Sequence, residues 1–403
     1  MELSTPDYLH YLRIEVYTLL GADLKIIDIL RNVKKAFSGY SPSVEILISK
    51  TSLLHNLNEY KRQYPNLLFA PVLKSNAYGH GLIEVARVLD KEKKAFFVVD
   101  SLYEVMVLRN KGIKSPLLII GYTSPENIVN CKLPNIAFTI TDLNQLQTIA
   151  KLLTKRKSIH LKIDTGMHRQ GILPDQINEA IDIIRSHKFL YLEGICSHLA
   201  DADNTDQSLT QSQLSYWDRA VTLFNKNFIT IKFIHVLATS GIRNFDKATG
   251  NTVRLGIGLY GIGPLAQEDL NLKPVLQMQS IISSIKTIPT GEYIGYGATH
   301  KTEHETKVAT IPLGYFEGIN RRLSNCGVVK IGNIFCPIIG KISMNITSID
   351  ISSVLGAKSG DKVVIISNNA DDPNSITNIA KLVGTISYEI LVQIPQHLRR
   401  RII

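Results

Sequence analysis

The chain has 403 residues, 45 Lys+Arg against 35 Asp+Glu, and a formal net charge of +10. With 44% apolar and 20% charged residues it is too apolar for a disordered chain, and its length suits two or three domains of ~150 residues each. Its densest basic cluster, Arg399-Arg400-Arg401, is too short to mark a nucleic-acid partner, and nowhere does it approach the ~18 uninterrupted apolar residues of a membrane helix.

Residues 1–43 read as an extension, helical by the spacing of Leu9, Leu12, Leu19, Leu24, Ile27 and Leu30. Asp7, Arg13, Glu15 and Asp23 interrupt it, so it lacks the apolar segment of a secretory signal. Cys131, Cys196, Cys326 and Cys336 are scattered without a C-x-x-C pair, which fits a reducing compartment, and the cytoplasm is expected.

Short apolar runs then recur at 69–73, 95–99, 116–120, 136–140, 158–163, 192–197, 233–238 and 252–257. Segments with helical spacing lie between them, such as 82–91, 102–110, 142–153 and 174–187. Strands joined by helical crossovers must run parallel, and eight such units predict a closed barrel, with a doubly wound open sheet as the alternative. A further strand near 44–48 is a candidate to pair with a later domain. After Gly263-Pro264 the rhythm changes. Glycine-punctuated strands at 278–288, 307–312, 327–331, 334–342 and 346–351 predict an antiparallel β domain, with a helix near 374–383 and a tail beyond. The expected fold is therefore an extension (1–43), a (β/α)8 TIM barrel (44–274) and a C-terminal, mainly antiparallel β domain (275–403).

Barrel enzymes gather reactive groups where strands end. The residues following the runs are Lys74, Asp100, Lys162 with Asp164 to Arg169, His198, Thr239-Ser240 and Arg254-Leu255-Gly256-Ile257. A strand-end lysine points to covalent amine chemistry with a carbonyl, such as the aldehyde of pyridoxal phosphate. The loops at Ser240 and Gly256-Ile257 occupy the usual phosphate position of a barrel.

Two literal motifs carry less. Gly256-Ile-Gly258-Leu-Tyr-Gly261 satisfies G-x-G-x-x-G but ends the eighth run instead of opening a helix in a first βαβ unit. His300-Lys-Thr-Glu303-His304 satisfies H-x-x-E-H in a context that reads as strand or loop, so no metal is expected. Tyr216 and Trp217 beside Arg219 read as helix packing rather than a stacking site.

Val72-Leu-Lys74-Ser-Asn-Ala-Tyr78-Gly-His-Gly81 closely resembles the cofactor-lysine motif of the alanine racemases. Lys162-Ile-Asp-Thr-Gly-Met-His-Arg169-Gln-Gly171, Val253-Arg-Leu-Gly-Ile257 and Gly295-Tyr-Gly-Ala-Thr299 are similar to three more motifs of that family, in the same order. The resemblance runs from about Val44 to the C-terminus. It implies a pyridoxal 5′-phosphate enzyme that interconverts L- and D-alanine, supplies D-alanine for peptidoglycan, and works as a homodimer with shared sites. It further implies Lys74 and Tyr296 as the two bases, with Tyr296 coming from the partner subunit. Arg254 would meet the pyridine nitrogen, and His198 would lie against the ring. Tyr78, Ser240, Gly256, Ile257 and Tyr388 would surround the phosphate. Arg169 and Met344 would meet the substrate carboxylate, and Lys162 matches a position that is often carbamylated. The segments Gly314-Tyr-Phe316-Glu317-Gly318 and Lys341-Ile-Ser-Met344-Asn345 depart from the family's Gly-Tyr-Ala-Asp-Gly and its Arg with Met-Asp. They keep open a racemase of broader specificity, with serine the nearest rival by size. A non-catalytic cofactor-binding barrel and a fold-related decarboxylase are weaker alternatives, because Tyr296 on a β domain and Arg254 argue against them.

Overall fold

The computed structural model describes residues 41–263 and 270–403, so the expected helices of the extension lie outside the described residues. Strand β1 (Glu45–Ile48) leads into helix α1 (Lys50–Gln63), whose first turn is capped by Ser49 accepting from the Ser52 amide at 3.1 Å. The barrel strands follow: β2 (Leu68–Pro71), β3 (Phe97–Val99), β4 (Leu117–Ile119), β5 (Ile136–Ile140), β6 (Lys157–Lys162), β7 (Leu190–Cys196), β8 (Phe233–His235) and β9 (Thr252–Leu255). Between them run α2 (Leu82–Leu89), α3 (Leu102–Asn110), α4 (Pro125–Asn130), α5 (Leu143–Leu152), α6 (Ile177–Ser186) and α7 (Ser208–Asn227).

Strands β3 to β8 pair in parallel in chain order, and β2 pairs in parallel with β9. Bridges at Val72–Val98 and Ala238–Arg254 close the ring, so the closed barrel holds and the open sheet does not. Strands β2 to β5 are almost wholly apolar and buried, as a parallel sheet covered by helices requires, while β6, β8 and β9 also bury His160, His235 and Arg254. On the outside, Leu146 and Ile149 of α5, Ala180, Ile181 and Ile184 of α6, and Trp217, Val221 and Phe224 of α7 are buried against it. The fully buried Trp217 donates to the Thr249 carbonyl, while Arg219 covers the exposed Tyr216 ring at 4.4 Å, a pairing within one helix surface.

The β domain comprises β10 (Leu276–Ile281), β11 (Ser284–Ile288), β12 (Tyr293–Ile294), β13 (His300–Lys301), β14 (Thr306–Ile311), β15 (Val328–Ile331), β16 (Ile334–Pro337), β17 (Thr347–Asp350) and β18 (Lys362–Ile366). Helices α8 (Ile376–Val383) and α9 (Ser387–Val392) and strand β19 (Arg400–Ile402) complete it. The run 278–288, expected as one strand, is two: it breaks at Ile282-Ser283, where β10 stays in a six-stranded sheet and β11 enters a three-stranded one. The six-stranded order is β16-β15-β18-β10-β1-β19, which places β1 between β10 and β19 although it precedes the whole barrel in sequence. Buried Asn56 on α1 ties the connection down, donating to the Leu259 and Lys273 carbonyls and accepting from the Lys273 amide. His300 lies in β13 and residues 302–305 form no helix, so the H-x-x-E-H pattern lacks the scaffold a metal pair needs. No helix among the described residues is long and apolar enough to cross a membrane.

Candidate active site

The carboxyl ends of the barrel strands open into a cavity of about 780 Å³. Lys74, Tyr78, Lys162, Arg169, His198, Ser240, Arg254, Gly256, Ile257 and Tyr388 all line it. Tyr296 and Met344 do not; both stand on the β domain with side chains more than half exposed.

Lys74 opens an unusual turn. Ser75, Asn76, Ala77 and Tyr78 all have φ between 52° and 56°, a left-handed turn of four non-glycine residues. Such backbone costs roughly 1–2 kcal/mol per residue, so it must be held from outside. Buried Glu104 accepts from the Ser75 amide and the Asp100 amide, each at 2.7 Å. Asn76 accepts from the Leu82 amide through its side chain, and Arg400 Nε donates to the Gly79 carbonyl at 2.9 Å. Gly79 itself admits no side chain, since a Cβ there would stand 2.0 Å from the Leu391 carbonyl oxygen. The Lys74 ammonium finds one carboxylate near it, Asp100 at 3.8 Å.

Arg254 sits on β9 with 7% of its surface exposed. One terminal nitrogen donates to the His235 carbonyl and His235 Nδ1, both at 2.7 Å; the other donates to the Ser197 and Val236 carbonyls and His198 Nδ1. These five bonds leave Nε–H without a protein acceptor among the described residues. Burial, then the Arg254 charge, push His198 down to about 3, so its ring is neutral. Gln213 of α7 braces the loop beyond His198, donating to its carbonyl and accepting from the Ala200 amide at 2.8 Å. No sequence signal singled out Gln213, because its partners come from another strand end.

The Gly256 amide, which phosphate-loop reasoning would leave free, donates to Thr239 Oγ1 at 3.0 Å. Gly256 shapes the cavity by lacking a side chain, since a Cβ would stand 2.9 Å from Tyr78 Oη. Burial raises the Tyr78 hydroxyl well above its usual range and Tyr388 to about 12, so both are neutral donors beside Ser240 and Ile257. Burial lowers Lys162, and Arg169 and Arg254 add to the effect; its one side-chain partner is Gln170 at 3.4 Å. Asp164 folds the loop to Arg169 by accepting from three successive amides, Gly166, Met167 and His168.

The departing segments are bonded to each other. Asn345 Nδ2 donates to Glu317 Oε1 at 2.7 Å, and Glu317 Oε2 accepts from the Gly314 amide. The Phe316 ring stacks on His397 at 5.2 Å, and Lys341 Nζ stands 3.0 Å from the position a Cβ on Gly297 would take, beside Tyr296.

A closed parallel barrel with a strand-end lysine, a buried arginine and neutral hydroxyls around one cavity, continued by a β domain, defines a barrel enzyme of two-domain architecture. Residues 48–264 match the alanine racemase N-terminal domain and residues 275–402 its C-terminal domain. The chain belongs to the alanine racemase family and is an isomerase of the amino-acid racemase kind. It is 35% identical over 379 residues to alanine racemase of Lactobacillus acidophilus, covering 90% of this chain and 98% of that one. With the enzyme of Methanococcus maripaludis it shares 33% over 361 residues, covering 88% and 96%. Its fold is similar to the alanine racemase structure of Clostridium difficile (TM-score 0.84, 30% identity, 90% and 96% covered). It is also similar to that of Bacillus anthracis with bound L-Ala-P (TM-score 0.83, 27% identity, 90% and 96% covered).

Proposed function

We propose that this protein interconverts L- and D-alanine in the cytoplasm with pyridoxal 5′-phosphate, as a homodimer in which Lys74 and the Tyr296 of a second copy flank the substrate, and that the D-alanine serves peptidoglycan. The chain divides for this work into an extension to residue 43, a cofactor-holding barrel to 274 and a β domain carrying the second base. The observation that carries the reading is Lys74 at the end of β2 in the same cavity as the Ser240 and Ile257 loops, with Arg254 pinned between two histidines. When bound, the cofactor supplies an aldehyde for amine capture and a ring that delocalises charge from Cα.

The protein's part is to hold protons and anions in place. Racemisation takes the α-proton from one face and returns it on the other, so one base alone does not suffice. Lys74 serves one face, and the exposed Tyr296, outside its own cavity, is available to the neighbouring subunit. Burial lowers the Arg254 pKa, yet a guanidinium has no acceptor atom, so Arg254 can only donate at Nε; it would leave the ring nitrogen unprotonated and so restrain side reactions. Tyr78, Tyr388, Ser240 and the Ile257 loop would hold the phosphate, and His198 would lie flat against the ring. Arg169, with the backbone at Met344 of the second copy, would take the substrate carboxylate. A carbamate on Lys162 would turn its repulsion of Arg169 into attraction, and the lowered amine pKa favours the neutral form that captures carbon dioxide.

Borohydride reduction followed by peptide mapping is expected to find the cofactor on Lys74, and another lysine would refute the site. Racemisation followed by chiral chromatography across the common amino acids tests the substrate. A racemase of broader specificity is the second reading, favoured by the Glu317–Asn345 bond and Phe316 in place of the family's smaller residues.

A further inference from the structure

Below the cavity the barrel interior holds polar groups that the reaction above does not touch. Strand β6 places His160 inside, at 0% exposure, next to β7. The register there slips: Ile159 faces Leu192 and His160 faces Gly194, so Glu193 is an extra residue, a β-bulge. Gly194 makes the room. A Cβ on it would stand 2.7 Å from His160 Nδ1 and 2.8 Å from the Phe233 carbonyl oxygen. His160 Nδ1 lies 2.8 Å from His235 Nε2, and His235 Nδ1 lies 2.7 Å from the Arg254 guanidinium.

Proton positions in this row follow from chemistry. A guanidinium only donates, so His235 accepts at Nδ1 and, being neutral, carries its proton on Nε2. That proton points at His160 Nδ1, which must accept, so the proton of His160 is on Nε2. There it has no hydrogen-bond partner; the nearest carboxylate oxygen, Glu193 Oε2, is 4.0 Å away and Lys232 lies 3.6 Å from the other oxygen. Phe96 and Phe233 wall the row, with ring centroids 5.4 Å and 5.8 Å from His160.

We propose that His160 is a positioning residue: through His235 it fixes the orientation of Arg254, so that a one-way row of donors, Arg254 to His235 to His160, holds the arginine with its Nε–H toward the cavity. The bulge at Glu193 and the bare Cα of Gly194 exist to admit this ring. The meaning of the Nε–H direction rests on the function proposed above, whereas the proton positions rest on the distances alone. Burial keeps both rings neutral, in the form the row requires.

The test is histidine 15N NMR on the full-length protein, with and without pyridoxal phosphate. His160 and His235 are each expected as the neutral Nε2–H tautomer between pH 6 and 9 in both states; an Nδ1–H tautomer or exchange-averaged shifts in either ring overturns the proposal. His160→Phe keeps the aromatic box but removes the acceptor. It is expected to leave the His235 Nε2–H without an acceptor, seen as a shifted Nε2 15N signal, and to lower kcat for alanine about tenfold with KM changed less than twofold, a loss of about 1.4 kcal/mol, the size of one neutral hydrogen bond. His160→Gln, with an amide oxygen to accept, is expected to recover most of both. A wild-type His235 Nε2 signal and kcat in His160→Phe refute the proposal, and so does a failed rescue. Absent alanine turnover in a wild type with the expected tautomers refutes the proposed function instead.

Discussion

Among the described residues His80, His160 and His235 are buried and His198 is partly buried, all four are neutral, and this makes the fold acid-sensitive by a calculable amount. Burial lowers His80 to about 4 and His160 and His198 to about 3, and it places His235 well below its usual value. In the unfolded chain each returns to ~6.5. A depressed folded-state pKa means that stability is complete above pH 6.5 and falls as the pH drops, because only the unfolded chain takes up the protons. Between pH 7.5 and 5.5 each histidine removes about 1.4 kcal/mol and the four together about 5 kcal/mol. Coupling between His160 and His235 does not alter the sum in this window, since the folded protein protonates neither. Urea unfolding at fixed protein and cofactor concentration should show the midpoint falling by roughly 1–2 M over those two pH units. His160→Gln should weaken the pH dependence by about a quarter. A midpoint that moves by less than about 0.4 M, or a variant with wild-type pH dependence, would show that these rings are not held neutral.

Three further outcomes are expected. Mixing Lys74→Ala with Tyr296→Phe subunits, each inactive alone, should restore about 25% of wild-type activity, because half the dimers are mixed and each has one intact site of two; no recovery after verified exchange would refute shared sites. Asn345→Asp with Lys341→Arg sets a second carboxylate against Glu317 at an exposed pair, a change of up to about 1 kcal/mol, and should move the alanine-to-serine ratio of kcat/KM about two- to fivefold; an unchanged ratio makes the departures neutral. Gly258→Ala places a Cβ 2.2 Å from Tyr60 Oη and 2.8 Å from Thr239 Cγ2, which should lower stability by about 1–3 kcal/mol in thermal melts and loosen the Thr239 bonds to the Gly256 and Gly258 amides.

The strand rhythm was legible because parallel strands buried on both sides read as apolar runs, and β5 and α3 start and end where their patterns do. Lys74, Lys162, His198 and Arg254 could be brought together before any coordinates because a barrel turns every strand end toward one mouth. What stayed hidden depends on contacts between strands. His160 and His235 look like ordinary strand residues until the bulge at Glu193 sets the register that joins them. The break at Ile282-Ser283 was invisible because both halves have strand composition. The left-handed turn at 75–78 carries no glycine to announce it, and its support comes from Glu104 and Arg400, distant in sequence.

The position of β1 between β10 and β19 has a consequence for synthesis. A ribosome releases residues 45–48 roughly 350 residues before 400–402, which at about 5–20 residues per second is about 20–70 s. Through that interval the barrel can form, yet the sheet that must take in β1 waits for its last neighbour. The same late segment brings Arg400, whose guanidinium reaches back to the Gly79 carbonyl beneath the lysine turn. The support of the turn after Lys74 is thus completed only by the far end of the chain, and a polypeptide cut short before residue 400 would hold that turn by Glu104 and Asn76 without the Arg400 bond.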